Sequence, residues 1–171
     1  IYRNRPFAED RTPVASAHID PPADREEAEQ GHVLVIDLDL KVRYRLSQIL
    51  GSEYRMSEAR DAAEAMAILA GSPPDVAIVG SNVRDRHGRP FWEWMRRSDT
   101  VGEIPILLIS ALAAHEDVSA RFRNLARRPA AVLRKPLLLD EVRRTVARLM
   151  EVCDAARSEE HTSELQSPDH L

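Results

Sequence analysis

The sequence is poor in cysteine, the residue that forms disulfides and many structural zinc sites. Of its 171 residues only one, Cys153, is a cysteine, which rules out an internal disulfide and a cysteine-based zinc site. This composition fits a reducing compartment, and we expect a cytoplasmic location. No apolar run approaches the ~20 residues of a membrane-spanning helix, so no membrane contact is expected of this segment. The net charge of −4 argues against nucleic-acid binding, which normally requires a basic excess.

Lysine is scarce as well. The chain has 24 basic residues, and all except Lys41 and Lys135 are arginine. Each position that keeps a lysine is therefore conspicuous. The first residue is Ile1 rather than Met, and no secretion signal follows it, so we expect a fragment of a longer protein.

Composition divides the chain into three parts. Residues 1–31 hold four prolines and seven acidic residues without a periodic apolar pattern, which is typical of a disordered linker. Residues 32–156 carry regularly spaced apolar segments and are predicted to fold as one domain. Residues 157–171 are polar again, and we expect a disordered or non-native tail. Over positions 157–167 this tail resembles the translation of a common short-read sequencing adapter.

Within the predicted domain, short apolar segments alternate with segments of helical periodicity. Apolar runs bounded by turn residues are typical of strands in a parallel sheet, and helices are predicted behind the capping residues Asp39 and Asp61. Five strands alternating with five helices predict a doubly wound, three-layer α/β domain. The predicted strands are 32–37, 54–59, 75–80, 104–110 and 130–134; the predicted helices cover 40–51, 62–71, a segment after Pro90, 114–126 and 139–152.

The strands end in residues that differ sharply in chemistry. In sheets of this kind, ligands bind beyond the carboxyl ends of the strands. Because those ends meet at one edge, the residues that follow them form a candidate site. They are Asp37 after the first strand, Gly80 after the third, Ser110 after the fourth, and Lys135 with Pro136 after the fifth.

With these residues in this order, the chain from His32 to Val152 resembles a response-regulator receiver domain. The resemblance implies a flavodoxin-like (βα)5 fold with strand order 2-1-3-4-5. It also implies two-component signalling, in which a histidine kinase transfers a phosphoryl group to an aspartate with the help of magnesium. Among receivers, the sequence is most similar to those of hybrid sensor kinases. The resembling segments are VLVID (33–37), PDVAIV (74–79), the loop glycine Gly88, ILLISA (106–111) and LRKPL (133–137).

When the family's phosphorylation-site residues are compared with the matching positions of this sequence, some of them are missing. Asp37 takes the first acidic position, whereas Leu38 replaces the second acid, a magnesium ligand in the family. Gly80 stands where the phosphoacceptor aspartate belongs. Ser110 and Lys135 keep the hydroxyl and the ammonium group. Without the aspartate, Lys135 is predicted to pair with Asp37 and to keep the pocket rigid.

Three further positions complete the comparison with receivers. Pro136 lies where the family often has a cis peptide bond, and Val132 replaces an aromatic residue that commonly changes position on activation. Asp39 is expected to cap the first helix rather than to bind a metal. Trp92 and Trp94 are two residues apart on a helix, so only one is expected to face the core.

Two replacements decide the predicted function. Glycine has no side chain to phosphorylate and leucine cannot coordinate magnesium, so we expect no enzymatic activity and no cofactor, with magnesium binding lost or weak. The chain is then a pseudo-receiver that acts through protein–protein contacts. One alternative is a phosphorelay receiver that uses Asp39 or Asp85 as acceptor. Another is a flavodoxin-like small-molecule binder or enzyme, which no glycine-rich phosphate loop supports.

The expected partners are a histidine kinase or other signalling domains, in the same chain or in another. In receivers, the face from the fourth to the fifth helix is the usual output and dimerisation surface. Here it is rich in arginine, which fits either a homodimer or an ordinary solvated face. The residues of this candidate output face are Arg121, Arg123, Arg127, Val132 and Arg134.

Overall fold

The structure is a computed structural model that describes residues 30–111 and 128–164, with side chains to residue 160. The described ranges hold five strands and four helices. None of these helices is both long and apolar enough to span a membrane. The strands are β1 (His32–Ile36), β2 (Arg55–Ala59), β3 (Val76–Gly80), β4 (Ile106–Ser110) and β5 (Ala131–Arg134), and the helices are α1 (Leu40–Leu50), α2 (Ala62–Gly71), α3 (Phe91–Arg97) and α4 (Leu139–Glu164).

The strands form one parallel sheet in the order β2-β1-β3-β4-β5, as expected. Every residue of β1, β3 and β4 is buried, because helices cover both faces of the sheet. In the edge strand β2 only Ala59 is buried, and the other four residues are exposed or half-buried. The predicted doubly wound α/β fold and its strand order are therefore confirmed.

Two apolar cores lie on opposite faces of the sheet. The first packs α1 and α4 against the sheet, with Leu46 and Val142 among its buried residues. The second packs α2 and α3 against the other face, with Leu69, Phe91 and Met95 fully or almost fully buried. Together the two cores fix the positions of the strand ends.

Helix starts agree with the capping pattern in the sequence. The carboxylate of Asp39 accepts a hydrogen bond from the Lys41 N–H at 2.9 Å, and that of Asp61 accepts one from the Glu64 N–H at 2.9 Å. Helix α3 follows Pro90 without a side-chain cap. The first two contacts satisfy N–H groups that the first turn of a helix leaves without partners.

The last helix is longer than its predicted span of 139–152. It continues to Glu164, so the expectation of disorder is wrong for residues 157–164. No glycine or proline lies between residues 139 and 164, and nothing in that sequence therefore ends the helix. Arg157 also forms an ion pair with Asp75, which precedes β3. The foreign origin of the tail stays a prediction.

Two other expectations fall on residues outside the described ranges. The linker predicted over 1–31 lies there except for its last two residues. The helix predicted over 114–126 lies there as well.

A buried imidazole opens β1. His32 is 3% exposed; its Nε2 lies 2.7 Å from the Ser57 hydroxyl, and its Nδ1 has no hydrogen-bond partner in the described chain. Burial lowers the pKa of His32 below its ordinary value, and the positive charge of Arg55 adds to this effect. The nearby backbone of Pro73 and the charge of Asp75 act in the opposite direction and only reduce the shift. The neutral imidazole is therefore the form that the fold favours.

We expect His32 to make the domain less stable in mild acid. The unfolded chain takes up the His32 proton at a higher pH than the folded chain, so stability is full above pH ~6.5 and falls as the pH decreases. Between pH ~7.5 and ~5.5, the melting temperature should fall less in His32→Gln than in the wild type. The exposed control His87→Gln should keep the wild-type slope. Equal slopes for His32→Gln and the wild type would contradict this account.

Candidate functional site

The carboxyl edge of the sheet brings the strand-end residues together. β1, β3 and β4 are adjacent, and Gly80 is in register with Ile109, one residue before Ser110. At the next strand, the Lys135 N–H donates a hydrogen bond to the Ser110 carbonyl at 3.0 Å. The Lys135–Pro136 peptide bond is cis. The candidate residues thus form one group instead of being scattered over the surface.

Asp37 is the most buried ionisable group of this edge, with 1% of its side chain exposed. Its Oδ1 accepts a hydrogen bond from the Asp39 N–H at 2.8 Å. Its Oδ2 has no hydrogen-bond partner among the described residues. The Arg43 guanidinium donates to the Asp37 carbonyl at 2.7 Å and fixes the backbone here. Among the described residues, this oxygen of the buried carboxylate therefore interacts through charge attraction instead of a hydrogen bond.

That attraction comes from Lys135. Its Nζ lies 4.0 Å from Asp37 Oδ2, with 32% of the lysine side chain exposed. The predicted Asp37–Lys135 pair is therefore confirmed, at a separation longer than a direct hydrogen bond. The two partners differ in hydration, since the lysine reaches solvent and the aspartate does not. Loss of the lysine would leave the carboxylate buried without a counter-charge.

The space beside Gly80 is taken by neighbouring side chains. A Cβ built on its backbone would overlap with Asp37 Oδ2, and it would lie 3.0 Å from Asp37 Cγ and 2.8 Å from Asn82 Oδ1. Real Cβ atoms are essentially never found this close to an oxygen. The carboxylate of Asp37 thus occupies the space into which a side chain at position 80 would extend. Asn82 has no counterpart in the sequence analysis, because only the folded loop brings it here.

The remaining strand-end residues differ in exposure. Ser110 is fully buried at the end of β4. Leu38 is 54% exposed, so its side chain extends into solvent directly beside the buried Asp37. Asp39 turns back as the cap of α1, as expected. Val132 is half-buried against the α2–α3 core, and Arg134 is exposed at the end of β5.

The other three arginines of the candidate output face, Arg121, Arg123 and Arg127, lie outside the described residues. The arginine-rich surface as a whole therefore stays a prediction.

The residues present do not fit the magnesium site that the family resemblance implies. Magnesium requires several oxygen ligands in near-octahedral geometry. Leu38 and Gly80 offer no side-chain oxygen, and the nearest charge to Asp37 Oδ2 is the ammonium of Lys135. In the part of the chain that the structure describes, no three acidic, histidine or cysteine residues cluster in a way that could hold a metal.

Asp85, the other candidate acceptor, organises the loop after β3. Its Oδ1 accepts hydrogen bonds from the N–H groups of His87 and Arg89 at 2.8 and 2.9 Å, and its Oδ2 accepts one from Arg89 Nε at 3.0 Å. Desolvation alone would raise the pKa of Asp85, but these hydrogen bonds and the Arg89 charge hold it below its ordinary value. Both carboxylate oxygens are therefore engaged within the loop.

A parallel five-stranded sheet with an acid, a hydroxyl and a lysine–proline turn at its carboxyl edge defines the receiver class of signalling domain. The family model of the response regulator receiver domain matches residues 33–147. This chain belongs to the response regulator receiver family. The predicted family is thereby confirmed. The absence of a phosphoacceptor at position 80 stays a prediction.

One curated relative is a larger protein. The sensor histidine kinase TmoS of Ectopseudomonas mendocina is 26% identical over 136 residues, which cover 78% of this chain and 14% of the kinase. The chain therefore spans a small part of that relative.

Solved structures agree with the fold. A signal receiver domain of a LuxO repressor protein from Vibrio parahaemolyticus matches with a TM-score of 0.65 and 17% identity, over 77% of this chain and 98% of that one. The chemotaxis response regulator CheY4 of Vibrio cholerae matches with a TM-score of 0.60 and 24% identity, over 70% and 98%.

Replacing Lys135 tests the charge pair. We expect Lys135→Ala to lower the free energy of unfolding by about 1–3 kcal/mol; this is less than for a fully buried pair, because the lysine is one-third exposed. The chain's other lysine gives a matched control: Lys41 is exposed, and Lys41→Ala should change stability by less than about 0.5 kcal/mol. Urea unfolding measures both variants. Equal stability of the two variants would contradict the pairing.

Replacing Gly80 tests the occupied space. Gly80→Ala should destabilise the domain by about 1–3 kcal/mol, since the added Cβ overlaps with the Asp37 carboxylate. In an Asp37→Ala background the same change should cost at least about 1 kcal/mol less, because the overlapping group is gone. Gly71→Ala is the control, because a Cβ there meets nothing within 4 Å. Additive effects of the Asp37 and Gly80 changes would count against this geometry.

Proposed function

We propose that the chain is a pseudo-receiver, a two-component signalling module that works through protein contacts without being phosphorylated. One observation carries the proposal: the space for a side chain at position 80 is taken by the carboxylate of Asp37. A phosphoryl group therefore has neither an acceptor nor room at this position. Since the donor set also does not fit magnesium, the module has no cofactor and no enzymatic activity in this proposal.

The geometry favours this proposal over transfer to another aspartate. The Asp39 side chain accepts from the Lys41 N–H as the cap of α1. Asp85 uses both oxygens within its own loop, and its side chain is 7% exposed. A nucleophile must be free to attack phosphorus, and both carboxylates would have to give up structural hydrogen bonds to do so.

The third class of function, a small molecule bound or converted at the strand ends, has less support. The Asp37 side chain fills the position at β3 where such a ligand would approach the sheet. A ligand there would have to displace a buried charged pair. The pair instead gives this edge a fixed structure, in keeping with a module whose surface is recognised by other proteins.

Exposed leucines at the same edge support contact with a protein partner. Leu38 and Leu40 follow β1 and are 54% and 65% exposed, and Leu138 and Leu139 follow β5 and are 64% and 45% exposed. At position 38 the leucine replaces a charged group of the family, so apolar surface stands where a receiver carries a metal ligand. Surface of this kind marks protein interaction sites more often than sites for ions.

The partner in this proposal is a histidine kinase or another signalling domain. The similarity to part of a sensor histidine kinase supports a place in the same chain as a kinase. A cytoplasmic location belongs to the same proposal, because receivers meet their kinases there.

Phosphorylation is tested directly with acetyl phosphate and magnesium on a Phos-tag gel, which retards phosphorylated protein. We expect no shifted band, while a receiver that retains its aspartate, treated in parallel, shows one. A shifted band that disappears in Asp39→Ala or Asp85→Ala would replace the proposal by phosphorelay through that residue. A shifted band that survives in both variants would also contradict it, because it would require yet another acceptor.

A further inference from the structure

A second concave site lies between the start of α2 and the loop that joins β3 to α3. Its cavity has a volume of about 570 Å³, which is within the range of small-molecule sites. It shares no residue with the strand-end group around Asp37. The residues that line the cavity are Asp61, Ala62, Ala63, Met66, Arg84, Asp85, Arg86, His87, Arg89 and Trp94.

The loop that forms one wall is held in a fixed shape. Asp85 accepts hydrogen bonds from two backbone N–H groups of the loop, and its backbone pairs with Arg89 and Gly88. Gly88 has a φ of 77°, a conformation that side chains disfavour. Arg84 and Pro90 form a β-bridge where the loop begins and ends. The arginines are therefore presented by an ordered turn.

The charge of this wall is positive. Asp85 is paired with Arg89, at 2.9 Å between Oδ2 and Nη2. No carboxylate in the described part of the chain forms an ion pair with Arg84 or Arg86; Arg86 Nε instead donates to His87 Nε2 at 3.0 Å. Two guanidinium groups are left for an anion, and arginine binds phosphate by paired N–H donors.

Another part of the cavity lining is apolar, with Trp94 and Met66 among its residues. Trp94 stacks on Phe91 with ring centroids 5.2 Å apart and planes 12° apart, which holds the indole in one orientation. It is partly exposed in the cavity, whereas Trp92 is 3% exposed. Met66, which is 47% exposed, lines the same cavity. An indole face and a thioether form a suitable surface for a planar ring.

We propose that this cavity binds a planar aromatic ring that carries a phosphate, as in a nucleoside monophosphate. The ring lies against Trp94 and Met66, and the phosphate binds Arg84 and Arg86. Two carboxylates also line the cavity, and each has a partner: Asp85 is paired with Arg89, and Asp61 accepts from the Glu64 N–H and lies 3.5 Å from Arg60 Nε. The proposal concerns a ligand site apart from Asp37 and Gly80, so it stands or falls independently of the pseudo-receiver function.

Tryptophan fluorescence provides the test, because the two tryptophans differ in exposure. Titration with AMP should quench the emission of Trp94 in a saturable manner. Adenosine and inorganic phosphate alone should each bind at least tenfold more weakly than AMP, since each lacks one of the two contacts. Arg84→Gln with Arg86→Gln should weaken AMP binding at least tenfold; both side chains are exposed, so the fold should persist.

Two controls separate ring stacking from general effects. Trp94→Phe leaves only buried Trp92 to emit, and AMP should then no longer quench the protein. Arg148→Gln removes an exposed arginine on α4 and should leave the AMP affinity unchanged. Absence of quenching by AMP up to millimolar concentrations would overturn the proposal. So would unchanged affinity in the double arginine variant, or binding of phosphate or adenosine as tight as that of AMP.

Discussion

The arrangement of the strand-end site depends on one buried carboxylate. Asp37 is 1% exposed, and charge in such surroundings is costly unless it is paired. Lys135 supplies the counter-charge, the Asp39 N–H satisfies one oxygen, and the absence of a side chain at Gly80 supplies the space. These contacts depend on one another. A side chain at position 80 would displace the carboxylate, and loss of the lysine would leave it uncompensated.

This constraint joins the fold to the proposed function. Strands β1 and β3 are neighbours buried on both faces, and a side chain at position 80 would meet the Asp37 carboxylate in its present position. In an intact receiver, the family resemblance implies that magnesium balances the negative charge of this edge. Here an aspartate–lysine pair balances the charge within the chain itself. The exposed Leu38 beside that pair then presents apolar surface rather than a metal ligand.

Much of this could be predicted from the sequence, because local patterns determine it. Buried apolar runs locate the strands, and Asp39 and Asp61 start their helices. The pairing of Lys135 with Asp37 was predicted from the resemblance to receivers, and the rarity of lysine supported it. The predicted end of α4 at residue 152 was wrong: no glycine or proline stops the helix there, and it continues to Glu164. Neither the overlap at Gly80 nor the cavity beside Trp94 could be foreseen, since both arise from distances between segments far apart in the chain.

The central claim is that the strand-end site is closed to magnesium and to a phosphoryl group because Asp37 and Lys135 already satisfy it. The most direct measurement is the backbone amide NMR spectrum of the protein during titration with magnesium and then with beryllium fluoride, an analogue of the phosphoryl group. We expect the amide signals of Asp37, Gly80 and Ser110 not to move. Saturable shifts confined to these residues would show a working site and contradict it.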